Sequence, residues 1–182
     1  QAAEIAGQSD NVTIIDSELT DRAEGFQVLA AAKDAQAGKS MAGIIDHVKK
    51  IRSTQKLEMM VVNLQNLIKG GRLGALSGRI ATMLNIRIAL QMPQGKLIVA
   101  KKGRGKKFTR AFDERVLKEI ADNKEHIKEV GISYVDTPEL MEELAEKIRA
   151  INPAINVLVA ETSPIIATHA GNGAYAILYY VE

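Results

Sequence analysis

The stretch VGISYVDTPELMEELAEKIRAINPAINVLVA, residues 130–160, holds two short apolar runs on either side of one amphipathic segment. Residues 130–135, rich in Val, Ile and Tyr, fit a strand. Thr137 suits an N-cap and Pro138 the first helical position, where its missing N–H costs nothing, so a helix is predicted from Pro138 to Arg149. Residues 157–160 form a second strand. Strand, helix, strand is the alternation of an α/β layer.

The same reading extends in both directions. Residues 109–123 form a long helix. Residues 86–90 and 96–100 flank Pro93-Gln94-Gly95, a turn sequence, so these two strands pair antiparallel. Residues 57–62 are a strand, followed by residues 63–68 and a break at Gly70-Gly71; a helix is expected over 75–84. Toward the other end, Ile165-Ile166-Ala167 is taken as a strand and residues 174–181 as a closing apolar run. Residues 56–182 thus make one α/β domain with a mixed sheet. Upstream, residues 1–5 end a helix and residues 11–15 (NVTII) are expected as a buried strand. Residues 20–37 form a helix with Gly38 at C′, and Ser40 caps a further helix over 41–52. The polar run Ser53-Thr54-Gln55-Lys56 marks a boundary, leaving residues 1–55 as a β-α-α piece of a separate α/β domain.

Composition narrows the chemistry. Lys and Arg number 24 against 22 Asp and Glu, so a formal charge of +2 supplies no global drive toward nucleic acid or membranes. The absence of Cys excludes disulfides, thiolate metal sites and thiol catalysis. The three His lie far apart, outside any metal-binding spacing. Aromatics are 4% with no Trp, so any lining is aliphatic. With neither a run of some 18–20 apolar residues nor a basic-then-apolar leader pattern, a cytoplasmic protein is expected. The chain opens at Gln1 directly in a helical pattern and is expected to be the retained part of something longer.

Three places could carry chemistry. Lys69-Gly70-Gly71-Arg72 combines adjacent glycines, which permit close backbone approach, with flanking cations; equally, it is an ordinary helix-ending turn. It matches neither a P-loop nor a dinucleotide fingerprint. The cationic run Lys101-Lys102-Gly103-Arg104-Gly105-Lys106-Lys107 could meet phosphate, although with only Phe108 beside it a solvated loop is the simpler account. Thr168-His169-Ala170-Gly171-Asn172-Gly173 sets a hydroxyl and an imidazole beside a turn, at what is taken as a strand end.

In this order, Ile14-Ile15-Asp16-Ser17 with Gly25, then Leu67-Ile68-Lys69-Gly70-Gly71-Arg72, then Thr168-His169-Ala170-Gly171-Asn172-Gly173-Ala174 resemble the DegV family, as does Lys102-Gly103-Arg104-Gly105-Lys106-Lys107 after the hairpin. Asn172 stands where that family usually has Pro. The resemblance implies a two-domain protein: a parallel-sheet N-terminal domain, incomplete here, and a mixed-sheet C-terminal domain, with one long-chain fatty acid in a tunnel between them. It implies that Ser17, Thr168 and His169 hold the carboxylate and that Gly171, Asn172 and Gly173 form the turn beside it. Arg104 would serve the headgroup or a partner, and Gly70, Gly71 and Arg72 would shape the junction. It further implies no cofactor and no catalysis by this chain. The carboxylate would be presented to a separate fatty acid kinase subunit, with peripheral membrane contact for lipid exchange. Two rivals stand beside it: an acyl ester hydrolase using Ser17 and His169, without a G-x-S-x-G elbow, and a nucleic-acid module using the cationic run.

Overall fold

The computed structural model describes residues 2–5, 7, 12–71 and 85–182. In chain order the elements are α1 (Ala2–Ile5), α2 (Arg22–Gln36), α3 (Met41–Thr54), β1 (Lys56–Val61), α4 (Gln65–Lys69), β2 (Ile86–Gln91), β3 (Ile98–Arg104), α5 (Gly105–Asp122), β4 (Glu129–Tyr134), α6 (Pro138–Ile151), β5 (Asn156–Glu161), α7 (Pro164–Ala170) and β6 (Tyr175–Tyr179). The helix predicted over 75–84, and Arg72, lie outside the described residues.

These strands form one mixed sheet in the order β3-β2-β1-β6-β4-β5, in which only β4 and β5 run parallel. The connection between that pair is α6, as the opening stretch predicts. The hairpin of β2 and β3 is antiparallel with Gln94 at φ 50 in its turn, also as predicted.

Alternation along the strands separates two cores. On one face α5 and α6 cover Met60, Ile132, Ile177 and Tyr179, using Phe112, Val116, Leu144 and Ile148. On the other face, Ala23 and Phe26 of α2 pack over Leu57, Leu178 and Tyr180, while Leu67 of α4 and Ala170 of α7 cover Val61, Leu90 and Ala174. Every residue of β6 is buried, because the strand lies inside the sheet with a layer on each side. Each fully buried Leu or Ile contributes about 1.5–3 kcal/mol relative to exposure.

Three expectations need correction. The run NVTII is no buried strand: residues 12–15 have no regular structure, Ile14 is 79% exposed, and Asn11 lies outside the described residues. A β-branched run becomes a strand only where a neighbour takes its hydrogen bonds, and no described strand pairs with it. Ile165-Ile166-Ala167 is the start of helix α7, where Ser163 accepts from the Ile166 N–H and Pro164 occupies the first position. A Ser-Pro start outweighs three apolar residues that fit either period. The cationic run is not a loop either: Lys101 to Arg104 complete edge strand β3, and α5 begins at Gly105, four residues before the predicted Thr109.

The predicted boundary is occupied closely. A single residue, Gln55, joins α3 to β1. Its amide donates to the Ala23 carbonyl and accepts from Gln27 Nε2 at 2.9 Å, fastening the end of α3 to the start of α2.

One carboxyl in the α5 layer is costly. Asp113 accepts from the Tyr175 hydroxyl, and burial raises its pKa above the ordinary 3.8 despite that bond and the nearby Lys147. Its folded pKa exceeds the unfolded one, so its contribution to stability is full below the unfolded value and is lost as pH rises through the folded value. Asp113→Asn keeps an acceptor for Tyr175 and removes the buried charge. Its melting temperature relative to the parent is therefore expected to rise between pH 3 and 7. A difference that stays flat across melts in that range refutes this.

Candidate functional site

Helices α4 and α7 lie side by side over one end of the sheet. The Asn66 side chain of α4 donates to the Thr168 carbonyl of α7 at 2.9 Å, and Leu67 and Ala170 share one buried cluster. Gly70, the C-cap of α4, faces the His169 ring. A Cβ there would collide with Nδ1 and lie 2.9 Å from Cε1, so only glycine leaves the imidazole its place. After α7, Gly171 turns at φ 75 and packs so closely on Asn66 that a Cβ would lie 3.1 Å from its Cγ. Two motifs about a hundred residues apart are thus a single packed unit.

Beneath this unit, on the sheet face away from α5 and α6, is a cavity of about 240 Å³. Its walls are apolar: Leu57, Met59, Leu90, Met92, Leu97, Ile165, Ile166 and Leu178 dominate. Besides Tyr134 and Tyr175, the polar residues of the lining are Thr20, Asp21, Ser133, Thr162 and His169. Asp21, held at φ 59, accepts from the Ser133 hydroxyl at 2.9 Å and from the Thr162 hydroxyl at 2.6 Å. This brace fixes the start of α2 against the ends of β4 and β5 and satisfies all three groups.

His169 differs. Its Nδ1 is buried without a hydrogen-bond partner, although the residue lines the cavity. A buried polar atom left without a partner costs about 1–3 kcal/mol. The chemistry the cavity can perform is to enclose an alkyl chain, at about 0.8 kcal/mol per buried CH₂, with its polar end met by the imidazole.

The remaining predicted residues fall in several places. Thr168 is exposed, and its hydroxyl donates to the Pro164 carbonyl within α7. Ser17 donates to the Leu19 carbonyl at 3.0 Å and is not among the residues lining the cavity, whereas Thr20 and Asp21 just after it are. Among the described residues no hydrogen bond joins Ser17 to His169. Gly71 follows Gly70 at φ 68, and Gly173 has φ 79. Asn172 is exposed and donates to Asp136 at 3.2 Å. Arg104 sits on edge strand β3 opposite Ile86, across two strands from β6. Arg72 lies outside the described residues. The residues that sequence reasoning missed are Thr20, Asp21, Ser133 and Thr162. Asp21 bonds partners 112 and 141 positions away, and no local pattern announces such a contact.

The family model described as DegV, a family of uncharacterised proteins, matches residues 1–182. A DegV domain-containing protein of Streptococcus pyogenes is 40% identical over 100% of this chain and 63% of its own length. Another from Streptococcus pneumoniae is 38% identical over 92% of this chain and 59% of its own. The chain thus spans about three fifths of the length of the curated relatives it matches. Among solved structures, a fatty-acid-binding DegV family protein from Thermus thermophilus superposes with TM-score 0.83 at 25% identity, covering 100% of this chain and 65% of that one. DegV of Bacillus subtilis, a fatty acid binding protein, gives 0.81 at 26%, covering 94% and 61%. The fold is also that of a Streptococcus pneumoniae fatty acid kinase B3 protein loaded with linoleic acid, with TM-score 0.80 at 20% identity, covering 100% and 65%.

Proposed function

Since the chain belongs to the DegV family, we propose that it binds one long-chain fatty acid, with the alkyl chain in the apolar cavity and the carboxylate at His169. The observation that carries this reading is an apolar cavity with the His169 ring on its wall. A carboxylate leaving water needs a hydrogen-bond donor, and an alkyl chain needs none. The solved relatives from Thermus thermophilus and Bacillus subtilis, both described as fatty acid binding, support the same ligand class.

In this reading residues 1–55 and 56–182 act as two units with the ligand at their junction, since Thr20 and Asp21 come from the first and the strands from the second. The chain is a carrier that performs no chemistry and needs no cofactor. It presents the carboxylate to a separate kinase subunit in the cytoplasm, with Arg104 on the partner-facing side and brief membrane contact for lipid exchange. The kinase role is carried over from the fatty acid kinase B3 relative, which shares the fold.

Native mass spectrometry and a fatty-acid titration test the ligand. A stoichiometric long-chain fatty acid is expected, and His169→Ala should bind it about ten- to a hundredfold more weakly, the loss expected for one hydrogen bond to a charged group. A protein that takes up no fatty acid on titration ends this reading. Full affinity in His169→Ala would move the carboxylate elsewhere.

A further inference from the structure

Helices α4 and α7 are five and seven residues long. Helices so short do not hold their shape in water unaided, so the place of His169 is set by what touches them. Helix α7 is tied to the rest of the fold at both ends. Before it, the Thr162 hydroxyl donates to Asp21; after it, the Gly173 N–H donates to the Val135 carbonyl at 2.9 Å. Ties at the two ends oppose rotation about the helix axis only weakly, and that rotation decides where the His169 ring lies on the cavity wall.

Asn66 opposes it from the side. Its side-chain amide donates at 2.9 Å to the carbonyl of Thr168, the residue before His169. That carbonyl belongs to the last turn of α7, whose carbonyls the helix cannot satisfy by itself. The Asn66 backbone carbonyl accepts from the Gly70 N–H at 2.8 Å, which closes α4 with Gly70 against the ring. Its Cβ and Cγ lie against Gly171, where an added Cβ would come to 3.3 and 3.1 Å from them. One residue thus holds the chain on three sides of the imidazole, at Gly70, Thr168 and Gly171. Asn66 is not among the residues lining the cavity, whereas His169 is.

We propose that Asn66 is a positioning residue of the fatty-acid site. It fixes the orientation in which the His169 ring meets the carboxylate, and it acts on the ligand through that ring alone. The proposal rests on the preceding reading, in which the carboxylate is at His169.

The parent, Asn66→Ala, His169→Ala and the double variant, each titrated with hexadecanoic acid by calorimetry, provide the test. Asn66→Ala is expected to bind about three- to tenfold more weakly than the parent, the loss of one neutral hydrogen bond. In the His169→Ala background the same change should cost less than about twofold, because the ring it positions is gone. A merely structural role gives the same loss in both backgrounds, and that additive result overturns the proposal. Asn66→Asp keeps the size of the side chain and, when ionised, has no hydrogen to donate. It should repeat the behaviour of Asn66→Ala, so the test does not depend on the folding of one variant. The ring is also read without ligand, from the imidazole nitrogen resonances of protein carrying isotope-labelled histidine, assigned by their loss in His169→Ala. These resonances should move in both Asn66 variants, and resonances unchanged from the parent overturn the proposal. Normal binding of hexadecanoic acid by the parent with an additive loss overturns the positioning role alone. Failure of the parent to bind hexadecanoic acid overturns the fatty-acid reading itself, and the proposal with it.

Discussion

A Gly70→Ala protein is expected to lose most fatty-acid affinity and to unfold more easily, although alanine is the smallest possible side chain and normally favours a helix. The added methyl collides with Nδ1 of His169 and also comes to 3.1 Å from the Asn66 carbonyl, so either the ring rotates or α4 and α7 separate. Overpacking of this kind costs about 1–3 kcal/mol. Displacing the ring proposed to meet the carboxylate should cost roughly ten- to a hundredfold in affinity as well. Gly70→Ala combined with His169→Ala separates the two effects. Removing the imidazole gives the methyl its space, so the double variant should regain much of the stability lost by Gly70→Ala without regaining affinity. Additive thermal shifts in the two single variants would show that glycine and imidazole do not compete for the same volume.

The second large effect is on stability alone. Glu58 lies on β1 at 2% exposure, where its two oxygens accept from Arg115 at 2.5 Å and Gln91 at 2.6 Å. Removing one partner of a buried ion pair typically costs about 3–5 kcal/mol, because the other charge stays behind. The Arg115 side chain is 42% exposed, so water can enter when it is gone, and Arg115→Ala is expected near the lower end, about 3 kcal/mol. Urea unfolding measures it. Pairing Arg115→Ala with Glu58→Gln should recover part of the loss, since the amide carries no charge to strand. A loss below about 1 kcal/mol in the single variant would place this pair with ordinary surface ion pairs.

What could be read from the sequence follows from the range of the interactions involved. Strands β1, β2 and β4 and helices α3 and α6 are specified by their own residues: apolar periodicity, the Ser40 cap, Pro138 at the first helical position and the hairpin turn all act within a few positions, although Thr137, expected as the cap of α6, makes no side-chain capping bond. The readings that failed lack such self-sufficiency. Residues 12–15 have strand propensity but no strand beside them, and Ile165-Ile166-Ala167 was too short for period alone to decide. At the site, Gly70 and His169 were legible as unusual residues through their motifs, but their mutual contact was not. The brace of Asp21 on Ser133 and Thr162 was invisible because each residue is unremarkable in its own neighbourhood. Burial of His169 Nδ1 depends on α4, α7 and their glycines together, which no single segment encodes.

The place of β6 has a consequence for how the protein comes into being. Of the six strands among the described residues it is the last to leave a ribosome, yet it sits between β1 and β4 and bonds to both. Until Tyr175 to Tyr179 emerges, the nascent chain has two separate ribbons, β3-β2-β1 and β4-β5, and each presents an open inner edge with no partner to close it. Exposed edges of this kind recruit other chains. A stalled or shortened translation product lacking β6 would thus be a sticky pair of half-sheets, with its aliphatic lining open to whatever chain or chaperone meets it first.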